Sequence, residues 1–212
     1  IQMSADFYSG HFIYQEPGEH QVTDLVKVSP KIKTQDNSTY ISSTSELNIG
    51  TIYKEWDLPH HQKWIKLNLD FKSNRDLRGI IRFIPLTLIP NAFDYNNMSF
   101  STNNGGYSLE KFNLKGKINH DAPVSLLVSS TQALGITNGT ISLGDNSTQI
   151  KLEYDPAISP FIGMINHNST NGYNFSRLIL SAREIDDTSH SAPANIKCSI
   201  KYSVEKISSD KK

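Results

Sequence analysis

Two adjacent histidines beside a tryptophan are the residues of this sequence whose types most directly suggest metal chemistry. His60 and His61 precede Trp64 in the segment LPHHQKW. Neighbouring residues of an extended chain point to opposite faces, so consecutive histidines rarely bind one metal ion, and no third ligand stands at a characteristic spacing. The pattern therefore favours turn histidines over a metal site.

Paired carboxylates are the other arrangement that could do chemistry, since two acids at a suitable separation can hydrolyse a glycosidic bond. Glu16 with Glu19 and Asp186 with Asp187 are such pairs. Both stand among turn-forming residues, where solvated loop charge is the ordinary explanation. The sequence also contains no G-x-S-x-G, no phosphate-binding glycine loop and no H-E-x-x-H. We therefore predict a protein without catalytic residues or enzymatic activity.

The charge balance argues against extensive contact with nucleic acid. Lysine and arginine number 21, and so do aspartate and glutamate, so the formal net charge is zero. No basic excess is available to neutralise a phosphate backbone. Five lysines could still form a fringe that touches RNA weakly and without sequence preference, although solvated tails are the ordinary explanation for them: Lys27, Lys31, Lys33, Lys211 and Lys212.

Three further features bear on the setting of the chain. The single cysteine, Cys198, excludes a disulfide framework, and its place on the apolar face of the last alternating segment predicts a buried structural thiol. The longest apolar runs fall short of the ~18 residues that a membrane helix needs. Because Ile1 stands where a translated chain would carry methionine, we expect the N terminus to be made by removing a signal peptide or by cutting a polyprotein.

The elements that must position these residues are β-strands. Apolar and polar residues alternate through IKCSIKYSVEKI (Ile196–Ile207) and through KWIKLNLDFK (residues 63–72), as in half-buried strands. GIIRFIPLTLI (residues 79–89) is apolar on both faces, which predicts a central strand with a bulge or a break at Pro85. Further strands are predicted over residues 51–56, 111–118, 123–130, 139–143, 148–156, 161–165 and 174–185. No segment has the apolar spacing of a three-turn helix, so the sequence predicts an all-β protein.

The pattern divides the chain at residue 50. Residues 1–50 hold short apolar patches separated by proline and glycine, which predict an extended N-terminal arm with one or two strand fragments. Residues 51–212 contain about ten strands at the spacing typical of β-sandwiches. Residues 90–108, rich in asparagine, serine and glycine, predict a long surface loop with at most one short strand.

The order of these elements resembles the jelly-roll capsid proteins of picorna-like viruses. The resemblance rests on the irregular arm, the early pair KWIKLNLDF and RGIIRFIPLTLIP, the long loop after it, and the closing strands NFSRLILSAREI and PANIKCSIKYSVEKI. It covers residues 50–207. Within that group the secovirids of plants, the comoviruses and cheraviruses, are the most similar, because they cut capsid chains of this size from a polyprotein.

The resemblance implies an eight- to ten-stranded antiparallel jelly-roll β-sandwich with an extended N-terminal arm. The chain would be a structural capsid subunit of a virion, assembling with sister chains into an icosahedral shell around genomic RNA. It implies no cofactor, no metal and no membrane, and it adds a host or vector surface receptor as a further partner. The arm would extend across a neighbouring subunit.

The alternative is a secreted carbohydrate-binding or adhesin β-sandwich. Its sugar rings would stack on exposed aromatic side chains, for which the candidates are Trp56, Trp64, Tyr95, Tyr107 and Tyr173. Trp56 and Trp64 flank a turn and could equally be anchors of the core. The sequence alone leaves these two roles open.

Overall fold

The computed structural model describes residues 8–88, 92–170 and 172–207. Two antiparallel sheets account for the strands, and within these ranges the helical structure is a single 3₁₀ turn, Tyr95–Asn97. The prediction of an all-β protein is confirmed. The seven-stranded sheet contains β1 (His11–Gln15), β2 (Val22–Thr23), β7 (Ile80–Leu88), β10 (Lys117–Asn119), β11 (Leu134–Gly135), β14 (Ile162–Thr170) and β15 (Tyr173–Arg183). The nine-stranded sheet contains β3 (Lys31–Gln35), β4 (Ser38–Leu47), β5 (Gly50–Pro59), β6 (Trp64–Ser73), β8 (Ser99–Thr102), β9 (Glu110–Asn113), β12 (Thr140–Gly144), β13 (Thr148–Glu153) and β16 (Asn195–Lys206).

Long-range pairing sets the order of the strands. The seven-stranded sheet runs β10-β14-β15-β7-β1-β2, with β11 also beside β14. The nine-stranded sheet runs β3-β4-β5-β6-β16-β13-β12-β8-β9. The last strand, β16, therefore lies inside this sheet and joins the early hairpins to the later ones.

Alternation along the strands puts the core between the two sheets. On the inner face of the nine-stranded sheet, Leu67 lies opposite Ile200 and Leu69 opposite Cys198. The rings of Phe12 on β1 and Phe71 on β6 have centroids 4.7 Å apart, so the two sheets meet there. Cys198 is buried, as predicted, and burial raises the pKa of its thiol to about 12, which leaves it protonated and unreactive near neutral pH.

Of the two irregularities predicted at Pro85, a bulge or a break, the structure shows a bulge. β7 is a central strand that pairs with β1 on one side and β15 on the other. Its register shifts between Leu178, which faces Leu86, and Leu180, which faces Phe83. Two residues of β7, one of them Pro85, therefore oppose one residue of β15, and the missing N–H of the proline is tolerated at this irregularity.

The segment predicted as an extended arm is built into both sheets from residue 8 onward. β1 pairs with β7, and β4 pairs with β5 along its whole length. β3 and β4 form a hairpin whose turn residues, Asp36 and Asn37, have positive φ values of 52° and 61°, as in a type I′ turn. The strands β3 and β4 are polar on both faces, so alternation gave little signal for them. Residues 1–7 lie outside the described ranges.

A buried ionic cluster holds the segment before β3 against the nine-stranded sheet. The carboxylate of Asp24 accepts a hydrogen bond from the backbone N–H of Phe12 at 3.0 Å, lies 3.1 Å from Nδ1 of His11, and pairs with the ammonium of Lys54. Burial alone would raise the pKa of Asp24, but its hydrogen bond with His11 and the charge of Lys54 outweigh burial and lower it. The carboxylate thus stays ionised and links β1 to β5.

The prediction of a strand over residues 123–130 is wrong. This segment is a loop whose Val124, Leu126 and Leu127 side chains are exposed. Its apolar residues alternate, but the segment pairs with no strand in the described part of the chain. Alternation predicts which residues share a face, and it cannot supply the hydrogen-bonding neighbour that a strand needs.

His167 makes the stability of the fold depend on pH. It lies fully buried on β14, with Nδ1 2.7 Å from the hydroxyl of Ser176 and its ring stacked on Tyr95. Burial lowers the pKa of His167 to about 4. Between the ordinary pKa of ~6.5 and this value, the unfolded chain binds a proton at this histidine that the folded chain does not. The contribution of neutral His167 to the free energy of unfolding is therefore fully present above pH ~6.5 and falls as the pH drops.

We therefore expect the free energy of unfolding to fall by about 3 kcal/mol between pH ~6.5 and pH ~4, measured by urea denaturation. His167→Gln keeps a hydrogen-bonding group without a titration and should flatten this dependence. The residual slope should come partly from His120, whose pKa burial also lowers. An unchanged slope in the glutamine variant would contradict the assignment.

Candidate functional site: an aromatic cleft

A cleft of about 400 Å³ opens where the turn between β5 and β6 meets residues of both sheets. Three aromatic residues line it: Trp56 of β5, Trp64 of β6 and Tyr202 of β16. Pro85 and Leu86 of β7 contribute from the seven-stranded sheet. We call this feature the aromatic cleft. Its volume lies in the range of sites that bind small molecules.

Sheet register brings the rings of Trp56 and Tyr202 together. Trp56 faces Leu67 across β5 and β6, while Tyr202 faces Ile65 across β16 and β6. All four side chains therefore lie on the inner side of the sheet. The rings of Trp56 and Tyr202 have centroids 5.7 Å apart at a tilt of 41°. The cleft thus has an aromatic wall that the ladder of three adjacent strands fixes in place.

Hydrogen bonding and burial hold the tyrosine still. The hydroxyl of Tyr202 donates to the carbonyl oxygen of Pro85 at 3.2 Å. Burial raises its pKa well above the ordinary value, so the phenol remains a neutral donor. This bond also connects the two sheets at the cleft.

Trp64 lies at the other rim of the cleft. It begins β6 and pairs with Ser203 of β16, so by strand alternation its side chain leaves the sheet on the side opposite to Trp56 and Tyr202. The ammonium nitrogen of Lys201 lies 5.7 Å from the centroid of its ring, within the range of a cation–π interaction. This contact favours one orientation of the indole, which remains partly exposed.

A few polar groups complete the lining. Ser9, Gln62, Lys63 and Ser203 border the cleft, and Gln62 and Lys63 are exposed in the turn between β5 and β6. An apolar wall with a small number of hydrogen-bonding groups can bind a neutral ligand that has both an apolar face and polar substituents.

The structure brings together two of the five aromatic residues predicted as sugar platforms. Trp56 and Trp64 share the cleft, and Trp56 also packs against the core, so it combines the two roles that the sequence left open. Tyr95 is buried and donates to the carbonyl oxygen of Leu88. Tyr107 and Tyr173 are exposed and do not line the cleft. Sequence reasoning missed Tyr202, which its alternation marked only as a core residue of β16.

The lysines predicted as an RNA-facing fringe are spread over different places. Lys31 and Lys33 lie exposed on the edge strand β3, opposite Ser42 and Tyr40, and charged side chains on such an edge discourage pairing with other chains. Lys27 is exposed before that strand. Lys211 and Lys212 lie outside the described residues.

The residues considered for metal or acid chemistry serve local roles. His60 and His61 lie in the turn after β5, and Nε2 of His60 is 3.0 Å from the hydroxyl of Thr39. Asp186 accepts hydrogen bonds from the backbone and hydroxyl of Thr188. Within the described ranges, no three or more histidine, cysteine, aspartate or glutamate side chains are grouped so as to hold a metal ion. The same ranges contain no helix long and apolar enough to cross a membrane.

No protein-family model matches this sequence, and no curated protein matches it significantly. Solved structures show a likeness of fold. A galactose mutarotase-like protein from Clostridium acetobutylicum aligns with a TM-score of 0.53 and 9% identity over 85% of this chain and 67% of its own. The GH36 α-galactosidase from Geobacillus stearothermophilus aligns with a TM-score of 0.53 and 11% identity over 95% of this chain and 30% of its own. The α-galactosidase from Lactobacillus brevis aligns with a TM-score of 0.51 and 11% identity over 92% and 29%.

These matches show a shared β-sandwich fold. The chain spans about two thirds of the mutarotase-like protein and less than a third of each α-galactosidase.

These matches also show that the predicted resemblance to jelly-roll capsid proteins is wrong, and with it the assignment as a capsid subunit of a virion. The two sheets together contain sixteen strands in the described residues, twice the eight strands of a jelly roll. Alternating strands and polar loops occur in any antiparallel sandwich, so they could not distinguish one strand arrangement from another.

Proposed function

We propose that this chain is a carbohydrate-binding β-sandwich domain and that its ligand occupies the aromatic cleft. The observation that carries the proposal is the placement of Trp56, Trp64 and Tyr202 around one cleft of about 400 Å³. The likeness of fold to a mutarotase-like protein and to α-galactosidases supports a carbohydrate as the ligand class.

The chemistry of the lining fits a neutral sugar ring. A pyranose has a flat face of C–H groups and a rim of hydroxyls, so the face can pack on an indole while the rim bonds to polar groups. Covering about 60 Å² of apolar surface on Trp64 contributes roughly 1.5 kcal/mol at 25 cal/mol per Å². Gln62, Lys63 and Ser203 are the groups that would bond to the hydroxyls. Burying an ionised ligand against this mostly apolar wall would carry a large desolvation cost.

Trp64→Ala tests the proposal. We expect the wild-type chain to retain one class of glycan on an array, and the alanine variant to bind that glycan at least about tenfold more weakly in calorimetry, since a tenfold change corresponds to about 1.4 kcal/mol. Trp64 is partly exposed at the start of a strand, so the variant should keep the melting temperature of the wild type within a few degrees.

Tyr107→Ala is the matched control, because this ring is fully exposed and lies outside the cleft lining. It should leave the affinity unchanged. The proposal fails if the wild-type chain retains no glycan, or if Trp64→Ala binds as tightly as the control. The absence of enzymatic activity stays a prediction, and turnover of an aryl α-galactoside by the wild-type chain would contradict it.

A further inference from the structure

A second cavity, of about 390 Å³, lies on the polar outer face of the nine-stranded sheet. Its floor comes from β5, β6 and β16, and the segment after β13, including Asp155, Ile158 and Ser159, borders it. The hydroxyl of Ser159 donates to the backbone carbonyl of Lys197, which ties this segment to β16. We call this feature the outer-face cavity. It shares no lining residue with the aromatic cleft.

Sheet register arranges the floor as two rows of three side chains. Tyr53 of β5 faces Asp70 of β6, which in turn faces Lys197 of β16. In the next row, Glu55 faces Asn68, which faces Ser199. Side chains two residues apart on a strand point to the same face, so all six groups lie on the outer side of the sheet.

The second row is held in place by hydrogen bonds. The hydroxyl of Ser199 donates to Oδ1 of Asn68 at 2.8 Å, and Nδ2 of Asn68 donates to Oε1 of Glu55 at 3.3 Å. The phenol of Tyr53 donates to Oε2 of Glu55 at 2.8 Å. A ligand would therefore meet groups whose orientation is already fixed, which reduces the entropy lost on binding.

The first row carries an acceptor that needs a donor. Oδ1 of Asp70 is buried and has no hydrogen-bond partner among the described residues, while the other carboxylate oxygen lies 3.5 Å from Nζ of Lys197. An unsatisfied buried acceptor costs about 1–3 kcal/mol, and a ligand that donates a hydrogen bond to it recovers that cost. Lys197 is mostly exposed, so its ion pair is weak and its ammonium can also donate to a ligand.

We propose that the outer-face cavity is a second binding site for a neutral sugar unit, in which hydroxyls donate to Asp70 and Glu55 and accept from Lys197, and the ring lies against Tyr53 and Ile158. Both apolar partners are available, since Tyr53 and Ile158 are exposed. This second site would be more polar than the aromatic cleft proposed above and separate from it.

The two sites can be tested separately by NMR. We expect D-galactose, D-glucose or D-mannose, added one at a time at millimolar concentration, to shift the backbone amide signals of Tyr53, Asn68, Asp70 and Ser199 as well as those of the cleft. In a Trp64→Ala background the shifts at the cleft should disappear and those at the outer-face cavity should remain. Asp70→Asn should weaken the remaining binding by tenfold or more.

Glu205→Gln is the matched control, because it makes the same chemical change on the same outer face of the sheet, on the adjacent strand β16 and outside the cavity. It should leave the affinity at both sites unchanged. Shifts confined to the cleft would overturn this inference and leave the proposed function standing. Shifts confined to the outer-face cavity would overturn the cleft and support this site. Binding of galactosamine but of no neutral sugar would overturn the assignment of a neutral ligand.

Discussion

Replacing Arg82 by methionine is expected to lower the free energy of unfolding by about 3–5 kcal/mol, because the change leaves a largely buried carboxylate without its partner. Arg82 is 6% exposed and binds Glu184 through two bonds, of 2.7 Å from Nε and 2.6 Å from Nη2. Its Nη1 also donates to the backbone carbonyl of Asp121 at 3.0 Å. The guanidinium therefore holds the loop before residue 130 against the outer side of the seven-stranded sheet.

Two further hydrogen-bond donors hold the Glu184 side chain in this position. The hydroxyls of Ser129 and Ser181 each donate to one of its carboxylate oxygens at 2.5 Å. When the guanidinium is removed, these two hydroxyls cannot compensate for a full charge at a site where the Glu184 side chain is 15% exposed. Urea denaturation measures the loss.

Two further variants serve as controls for the Arg82→Met measurement. Arg75→Met removes an exposed arginine whose nitrogen is 3.8 Å from Glu16, and should cost less than about 1 kcal/mol. The double variant Arg82→Met with Glu184→Leu removes both charges and should recover a large part of the stability lost in the single variant. A single variant as stable as Arg75→Met would show that the buried pair has no such role.

Gly139→Ala is expected to destabilise the fold by at least about 3 kcal/mol, since it combines backbone strain with overlap. Gly139 has φ +68° just before β12, and an added Cβ would overlap the carbonyl oxygen of Tyr154 and lie 2.9 Å from Cδ of Pro156. The carbonyl of Gly139 accepts a hydrogen bond from the backbone N–H of Tyr154 at 2.9 Å. To relieve the overlap, the chain after β13 would have to move away and break this bond.

Gly116→Ala separates the two contributions. Gly116 has nearly the same φ, +67°, but an added Cβ meets no atom within 4 Å. Its alanine variant should lose only the backbone contribution, about 1–2 kcal/mol. The difference between the two variants in thermal or urea unfolding measures the overlap, and equal losses would show that Gly139 is needed for its φ alone.

The candidate site could be predicted only in part. The aromatic residues Trp56 and Trp64 stood out in the sequence because they are rare, large and close to one turn. Nothing in the sequence indicated that Tyr202, 138 residues after Trp64, would face the same cleft. The outer-face cavity was not predicted at all, because its acids, amide and lysine look like ordinary solvated positions of alternating strands.

Alternation by itself determined that β6 and β16 are strands, which of their residues share a face, that Cys198 is a core thiol, and that Pro85 interrupts a central strand. These follow from the period of two in a pleated chain, which is a local property. Only the tertiary structure decided which strands are neighbours. It split residues 111–118 between two sheets, left residues 123–130 as a loop, and built the polar strands β3 and β4 into a sheet. Pairing depends on hydrogen bonds between distant segments, so the aromatic cleft and the outer-face cavity, which both draw on β5, β6 and β16, could not be predicted from the local pattern.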